Sequence, residues 1–281
     1  MDGQRNFVRR RSDYAVMAVF LALMVAAGCV SFPAYSTEED LRLMSAVYDP
    51  LGLGWSSAAK WVGWYFITVA ALHGLTWSLF LGFLYINKKD TPIGPTFFAQ
   101  ARAIETNFFL LPLVQVVCDI ATQDGWTKVT MGNTEPALVL RDVLLWMLCF
   151  EWAWYVQHRL MHDVKPFWKY GHYFHHQWKK PEHMLGITNF AFDHVVEVWV
   201  TMSSSFLGYL LFPSNFYVGK AIALVYMVLA VLAHWEGFHL SRYHINHHYL
   251  VTKNYGSHVP IFDMLFGTYQ WEPYPRKGRV E

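Results

Sequence analysis

Six long apolar stretches dominate the chain and restrict it to a small set of folds. They cover roughly residues 14–35, 61–86, 108–121, 138–156, 195–212 and 217–233. Of the 281 residues, 54% are hydrophobic and only 15% are charged, whereas an ordinary soluble domain has about 25% charged residues. Most of the stretches approach the roughly 20 residues that a helix needs to cross a bilayer. The sequence therefore predicts an all-α fold, a multi-pass transmembrane helical bundle.

The distribution of positive charge predicts the topology of this bundle. With the N-terminus in the cytoplasm and every stretch crossing, 17 of the 22 Lys and Arg residues fall on the cytoplasmic side. Four arginines precede the first stretch, which is too long for the core of a cleaved signal and is predicted to remain as an anchor. The third stretch is short and contains Pro112, so a re-entrant path is an alternative to crossing. The last two stretches are predicted to form a helical hairpin with the turn residues PSN at its tip.

Several classes of protein are disfavoured by composition. The net charge is only +1, which argues against a nucleic-acid partner. The three cysteines, Cys29, Cys118 and Cys149, are odd in number and form no CxxC pair, so neither a disulfide framework nor a zinc ribbon is expected. The chain has no glycine-rich phosphate loop and no flavin or NAD fingerprint of its own.

Three short histidine groups carry the strongest chemical signal. The segment HRLMH spaces two histidines i, i+4, and the segments HYFHH and HINHH both have i, i+3, i+4 spacing. On a helix such residues share one face, so each group can direct several imidazoles at one place. Imidazole suits iron, zinc, copper and nickel. The pattern predicts a metal centre with more than one ion, built from His158, His162, His172, His175, His176, His244, His247 and His248.

Two further histidines are placed beside these groups by the predicted hairpin. His194 precedes its first helix and His234 follows its second. The predicted topology brings all ten imidazoles to one level, just inside the cytoplasmic face. A structural role is preferred for the other four: a bond to a neighbouring helix for the mid-span His73, and supporting or spare positions near the groups for His183, His239 and His258.

The order of the histidine groups resembles a known superfamily. HRLMH, HYFHH and the late HINHH, followed by NYGSHVPIFDMLFGTY at 254–269, are similar to the boxes of the fatty acid hydroxylase/sterol desaturase superfamily of integral-membrane di-iron enzymes. The resemblance covers about residues 141–269. His194, in FAFDHVVE, and His234, in HWEGF, resemble two further family histidines, although the linker from His176 to His194 is a few residues longer than usual.

The resemblance implies a metal site with two iron ions and ten histidine ligands. By similarity the ligands are His158, His162, His172, His175, His176, His194, His234, His244, His247 and His248. The family uses dioxygen at such a site to convert an unactivated C–H bond to an alcohol or an alkene. Because neutral imidazoles leave a large positive charge on the metals, carboxylates are expected to orient the imidazole N–H groups. The candidates are Asp163, Asp193, Glu197, Glu236 and Asp263.

The predicted function follows from this resemblance and from the predicted membrane setting. The chain is expected to hydroxylate, oxidise a methyl group of, or desaturate a sterol or related lipid taken from the bilayer. Electrons are expected from a separate b-type cytochrome and its NAD(P)H reductase. The expected location is the endoplasmic reticulum membrane with the site facing the cytosol, or the inner membrane in a bacterium. Residues 1–137 would supply the N-terminal spans, and residues 138–281 the catalytic region with a cytosolic histidine-rich cap.

Two other readings stay open at the level of sequence. A divalent-metal transporter or metal-binding membrane protein also carries histidines, but it needs them along a path at mid-membrane depth. In this chain only His73 lies in mid-span. A catalytically silent relative that keeps the fold as a scaffold is disfavoured by the intact histidine groups.

Overall fold

The computed structural model describes the part of the chain that surrounds the histidine groups. Residues 135–177, 214–234 and 241–271 are described continuously. Shorter described pieces are residues 13–19, 22, 62–63, 65–67, 69–71, 73–74, 78, 113, 129–130, 203–204, 207–208 and 211. Most of the first, second, third and fifth apolar stretches lie outside these residues. The predictions made for their crossings therefore stay predictions, as do the domain boundary at residue 137 and the hairpin geometry.

One 28-residue helix organises the described region. Helix α1, Pro136–Asp163, includes the fourth apolar stretch and carries the first histidine pair in its last turns. It begins with a proline near its first position, where the missing N–H would have no intrahelical partner and the fixed φ suits a helix. It ends at Val164, which is extended with φ −104° and ψ 108°. Pro166 enforces this ending because it cannot donate to the carbonyl of His162 and its ring would collide with that carbonyl.

The remaining elements are short and follow α1 closely in space. Helix α2 is Lys165–Phe167, followed by one π-helical turn at Trp168–His172 and a 3₁₀ turn at His175–Gln177. The later helices are α3, Phe216–Ala233, α4, Ser241–Leu250, and α5, Ile261–Leu265. Strands β1, Val129–Thr130, and β2, Ser214–Asn215, pair in parallel with Val129 opposite Ser214.

The helical character predicted from the sequence is confirmed, since the sheet in the described residues is only this two-residue pair. Helix α3 begins at Phe216, directly after β2, and so matches the sixth apolar stretch closely. Within the described part of the chain, no helix combines the length and the apolar character required to cross a membrane. The multi-pass arrangement is therefore still a prediction.

The described core packs α1 against the C-terminal segment. Cys149, Trp152 and Tyr155 of α1 form a cluster with Tyr255 and Phe266, both buried. The rings of Tyr155 and Phe266 are stacked with their centroids 5.5 Å apart. Burial of large aromatic rings contributes strongly to stability, about 1.5–3 kcal/mol for a fully buried Phe-sized side chain. This packing fixes residues 253–268 against the end of α1 that carries the first histidine pair.

Candidate metal centre

Nine histidines converge into two adjacent groups in the described structure. In each group, one ring nitrogen from every member lies within 4.8 Å of the corresponding nitrogens of the others. The five-histidine group is His158, His162, His172, His176 and His247. The four-histidine group is His175, His234, His244 and His248. The members come from α1, the π-helical and 3₁₀ turns, the residue after α3, and α4.

Each HxxHH box is divided between the two groups. In the first box, His172 and His176 belong to the five-histidine group and His175 belongs to the four-histidine group. The second box is divided the opposite way, with only His247 in the five-histidine group. In α4, an α-helix with about 3.6 residues per turn, residues i and i+4 are about 40° apart, and residue i+3 lies about 60° to the other side of i. One box can therefore supply two neighbouring sites.

The spacing between ring nitrogens fits metal ligands. In the five-histidine group, Nε2 of His172 lies 2.9 Å from Nε2 of His158 and 3.0 Å from Nε2 of His176. In the four-histidine group, Nε2 of His234 lies 3.0 Å from Nε2 of His244 and 3.3 Å from Nε2 of His248. Two nitrogens bound to one ion at about 2.1 Å, with an angle between 90° and 110°, lie about 3.0–3.4 Å apart. The histidine set therefore has the donor type and the spacing of a metal site.

Backbone carbonyls fix the tautomer of three of these imidazoles. Nδ1 of His158 donates to the carbonyl of Tyr255 at 2.7 Å, and Nδ1 of His247 donates to the carbonyl of Lys253 at 2.7 Å. Nδ1 of His234 donates to the carbonyl of Ala230, one helical turn earlier, at 2.9 Å. In a neutral ring the proton on Nδ1 leaves a lone pair on Nε2. Three lone pairs therefore face into the groups, where they would repel other lone pairs unless a cation lay between them.

Burial keeps the imidazoles neutral. Desolvation lowers the pKa of His172 from 6.5 to about 3 and, despite the opposing Ala230 carbonyl, that of His234 to about 4. Desolvation, followed by repulsion from neighbouring imidazoles, holds the pKa of the other members well below 6.5. A metal ligand must be the neutral ring, so the site needs no proton release from these histidines near neutral pH.

His162 shows most directly that these rings need a further partner. Both of its ring nitrogens are shielded from solvent and neither has a hydrogen bond, and Nδ1 of His176 and of His248 is in the same state. A buried polar group without a partner costs about 1–3 kcal/mol. A metal ion bound by Nε2 of His162 would satisfy one of its two nitrogens.

The remaining histidines and candidate carboxylates either lie outside the described residues or make other contacts. His194, Asp193, Glu197 and Glu236 lie outside the described residues, as do His183 and His239. His73 bonds the carbonyl of Val69 in its own segment at 2.9 Å, where a bond to a neighbouring helix was predicted. His258 bonds Oγ of Ser257 at 2.6 Å and belongs to neither group.

The two described candidate carboxylates bind groups other than the histidines in the hydrogen bonds identified. Asp163 accepts from the Tyr14 hydroxyl at 2.9 Å and lies 3.5 Å from Nε of Arg159. Asp263 accepts from Tyr243, Thr268 and two backbone N–H groups. Carboxylates were predicted to orient the imidazoles, but main-chain carbonyls do so for the three rings with a defined Nδ1 acceptor. The carbonyls of Lys253 and Tyr255 belong to the loop after α4, and the carbonyl of Ala230 lies in α3, one turn before His234.

Glu151 and Asn254 are buried polar residues whose roles the sequence interpretation missed. Glu151 is 2% exposed and accepts from the backbone N–H groups of Ser257, His258 and Val259 at 3.1–3.3 Å. Asn254 is fully buried and bonds the backbone of Tyr243 and Gln270. A carboxylate inside the apolar stretch 138–156 was the available signal, since an ionisable residue there needs a specific partner.

The geometry thus defines a helical protein with a buried, histidine-rich centre suited to two neighbouring metal ions. Comparison with known proteins gives a family for the same region. Residues 143–268 match the family model for fatty acid hydroxylase. These residues include the nine clustered histidines and the loop that orients two of them.

Curated relatives agree with this assignment. A Delta(7)-sterol-C5(6)-desaturase from Nicotiana tabacum is 24% identical over 211 residues, which cover 70% of this chain and 77% of the relative. A protein from Arabidopsis thaliana named for the same desaturase activity is 21% identical over 210 residues, covering 70% and 75%. No solved structure matches the chain significantly. The region 143–268 belongs to the fatty acid hydroxylase/sterol desaturase superfamily, which confirms the assignment made from the histidine boxes.

Proposed function

We propose that this protein is a membrane-bound di-iron oxidoreductase that uses dioxygen and an external electron donor to hydroxylate or desaturate a sterol or related lipid. The observation that carries the proposal is the pair of histidine groups inside a region that matches the fatty acid hydroxylase family. The names of the curated relatives favour a sterol as the substrate class. Oxidation of a methyl group is a further outcome of the same chemistry.

The proposed metal ligands are the nine clustered histidines together with His194. The five-histidine group would hold one iron and the four-histidine group the other, with His194 the proposed additional ligand. Iron in such a site supplies activation of dioxygen for attack on an unactivated C–H bond. The protein's own contribution is to present neutral imidazoles with fixed tautomers and to exclude bulk water, because seven of the nine rings are less than 5% exposed.

Exposed apolar side chains on helices α1 and α3 support the proposed membrane setting. Leu140 and Leu144 of α1 and Val225 of α3 are each more than half exposed. Exposed apolar side chains that share a helix face, as Leu140 and Leu144 do one turn apart on α1, are typical of contact with lipid or with another apolar surface. Together with the six apolar stretches and the positive-inside charge pattern, they favour a multi-pass protein of the endoplasmic reticulum whose metal centre faces the cytosol. In a bacterium the corresponding location is the inner membrane.

The electron donor is proposed to be a separate b-type cytochrome served by an NAD(P)H reductase. The chain has no nucleotide fingerprint of its own, and the superfamily assignment implies an external donor. A metal centre near the cytosolic face suits such a partner, because electrons can then arrive from the aqueous side while the lipid arrives from the bilayer.

Metal content and substrate turnover test this proposal together. The purified full-length chain, loaded anaerobically with ferrous iron, is expected to bind about two irons. His172→Ala and His175→Ala, one from each group, should each lower that number, and Asp142→Asn, a buried carboxylate on α1 outside both groups, should leave it unchanged. Less than about one iron per wild-type chain, with no effect of either histidine change, would refute the di-iron site.

The reaction itself is identified by the lipids of cells with and without the protein. A hydroxyl, an oxidised methyl or a double bond that disappears with the gene names the modification. Oxygen consumption that depends on both the lipid and a reductant supports the oxidoreductase. Metal uptake into vesicles without oxygen consumption would instead support the metal-transporter alternative.

A further inference from the structure

The loop of residues 253–259, with sequence KNYGSHV, connects the metal centre to two buried carboxylates. Its carbonyls at Lys253 and Tyr255 accept hydrogen bonds from His247 and His158, both at 2.7 Å. Both of these histidines belong to the five-histidine group. In the four-histidine group, the defined Nδ1 acceptor is the carbonyl of Ala230, which lies on α3 and not in the loop. The loop therefore bears directly on one of the two proposed metal positions.

Asp263 holds this loop from the side of α5. Its side chain is fully buried. Oδ1 accepts from the backbone N–H of Tyr255 at 2.8 Å and from Oγ1 of Thr268 at 2.6 Å. Oδ2 accepts from the backbone N–H of Gly256 at 2.7 Å and from the Tyr243 hydroxyl. A carboxylate with four donors around it is held rigidly. By binding the N–H of Gly256, it fixes the peptide group whose carbonyl, that of Tyr255, accepts from His158.

Glu151 holds the same loop from the side of α1. Its two carboxylate oxygens accept from three successive backbone N–H groups, at Ser257, His258 and Val259. Successive N–H groups that converge in this way form a concave anion site. Glu151 lies seven residues before His158, about two turns along α1. The helix that carries His158 therefore also binds the loop that orients the His158 ring.

We propose that Glu151 and Asp263 are positioning residues that set the metal affinity of the five-histidine group through the loop 253–259. They keep the carbonyls of Tyr255 and Lys253 in line with Nδ1 of His158 and His247. This holds the Nε2 lone pairs of those rings on the metal position. In the four-histidine group, His234 is oriented by the carbonyl of Ala230 on α3, so we expect Glu151 and Asp263 to affect that group less. The proposal rests on the proposed metal centre and adds an asymmetry between its two sites.

Substitution of Asp263 by Asn or of Glu151 by Gln replaces one acceptor oxygen with an NH₂ donor and changes the shape of the side chain very little. In Asp263→Asn the new NH₂ group replaces one oxygen that accepted two bonds, so whichever backbone N–H faced that oxygen, that of Tyr255 or that of Gly256, must shift. Loss of a partner that orients a metal-binding histidine typically weakens metal affinity by about 10- to 100-fold. Tyr243→Phe removes only one donor to Asp263 and should have a smaller effect. Glu151→Gln acts on the opposite end of the loop and should weaken the same site.

Titration of the metal-free full-length chain with Co²⁺, followed by visible absorption and metal counting, tests the proposal. The wild type is expected to bind two ions. Asp263→Asn and Glu151→Gln should retain one ion with wild-type affinity and bind the other about 10- to 100-fold more weakly. The absorption of the retained site should match that of His158→Ala, which lacks a member of the five-histidine group, and differ from that of His244→Ala, which lacks a member of the other group. Asp142→Asn, an equally buried carboxylate bonded to Arg141 at 2.7 Å, is the matched control and should bind both ions normally.

The outcomes separate this proposal from the proposed function. A wild type that binds no metal refutes the metal centre, and with it this proposal. A wild type that binds two ions, with both affinities unchanged in Asp263→Asn and Glu151→Gln, refutes the positioning role alone. Equal weakening of both sites points to general destabilisation and also refutes it. If Asp263→Asn does not fold, the selective effect must appear in Tyr243→Phe, and its absence there counts against the proposal.

Discussion

Asn254 combines two demands that few residues meet, and its substitution gives a sharp test of the structure. Its backbone is left-handed, with φ of 58°, a conformation that Asn adopts at a lower cost than most other residues with a Cβ. Its Nδ2 donates to the carbonyls of Tyr243 at 2.9 Å and Gln270 at 2.7 Å, and its Oδ1 accepts from the N–H of Gln270 at 2.7 Å. The side chain is fully buried, so water cannot replace these bonds.

The expected cost follows from these contacts. Three hydrogen bonds at about 0.5–1.5 kcal/mol each come to about 1.5–4.5 kcal/mol. Asn254→Gly loses these bonds but keeps an unstrained left-handed backbone. Asn254→Ala loses the same bonds and adds about 1–2 kcal/mol of backbone strain. Both variants should be less stable than the wild type, and Asn254→Ala should be the less stable of the two.

Thermal unfolding of the detergent-solubilised chain measures the order. One kcal/mol corresponds to a change of about 2–4 °C in Tm for a chain of 150–250 residues. The Ala variant should therefore melt several degrees below the Gly variant, and the Gly variant below the wild type. If Asn254→Ala melts at or above Asn254→Gly, the left-handed conformation is not the constraint. If both melt with the wild type, the three hydrogen bonds do not exist in the folded protein.

Three further predictions concern the histidines and the end of α1. Burial lowers the pKa of His172 to about 3 and of His234 to about 4; below about pH 6.5 the unfolded chain takes up protons that the metal-free folded chain does not. Its free energy of unfolding should therefore decrease as the pH is lowered below about 6.5, by about 1.4 kcal/mol per pH unit for each such histidine. A Tm that does not change between about pH 7 and pH 5 would contradict the burial. His162→Leu should leave the metal-free protein as stable as the wild type or more stable, because both ring nitrogens lack partners, whereas His158→Leu strands a buried carbonyl and should cost about 1–3 kcal/mol; equal melting points would refute this distinction. Arg159→Met breaks a buried contact with two carboxylates and should cost about 3–5 kcal/mol by thermal melting, and a loss under about 1 kcal/mol would place the guanidinium in solvent.

Residue spacing was sufficient to predict which histidines cluster in the described structure. Nine of the ten predicted ligands converge in the described structure, and the tenth, His194, lies outside it. The i, i+3 and i, i+4 rules apply locally, so they hold wherever a box forms helical turns. Repetition of the same box at two places in the chain was therefore informative before any tertiary contact was known.

Spacing alone could not show how the boxes divide. Each HxxHH box was predicted to point its imidazoles at a single place. Instead, His175 of the first box lies in the four-histidine group, and His247 of the second box lies in the five-histidine group, each apart from the rest of its box. The division depends on how α4 packs against the turns after α1, which is a long-range contact. The sequence pattern is the same for one shared site or two adjacent ones.

The supporting groups were the least predictable part. Asp263 was selected as a carboxylate that bonds imidazole, yet it binds the loop 253–259, and Glu151 was not selected at all. A carbonyl exists at every residue, so no residue type marks the ones that accept from His158 and His247. Their position depends on a left-handed turn and on two carboxylates more than 100 residues apart in sequence.

The sequence by itself determined the helical class, the histidine groups and the superfamily, because periodicity, residue spacing and box order are all local properties of the chain. Only the tertiary structure decided which histidines form each of the two groups, which tautomer three of them adopt and which buried carboxylates hold the loop behind them. Those features arise where distant segments meet in a site from which water is excluded. There, each polar atom must find a partner among the groups that folding brings to it.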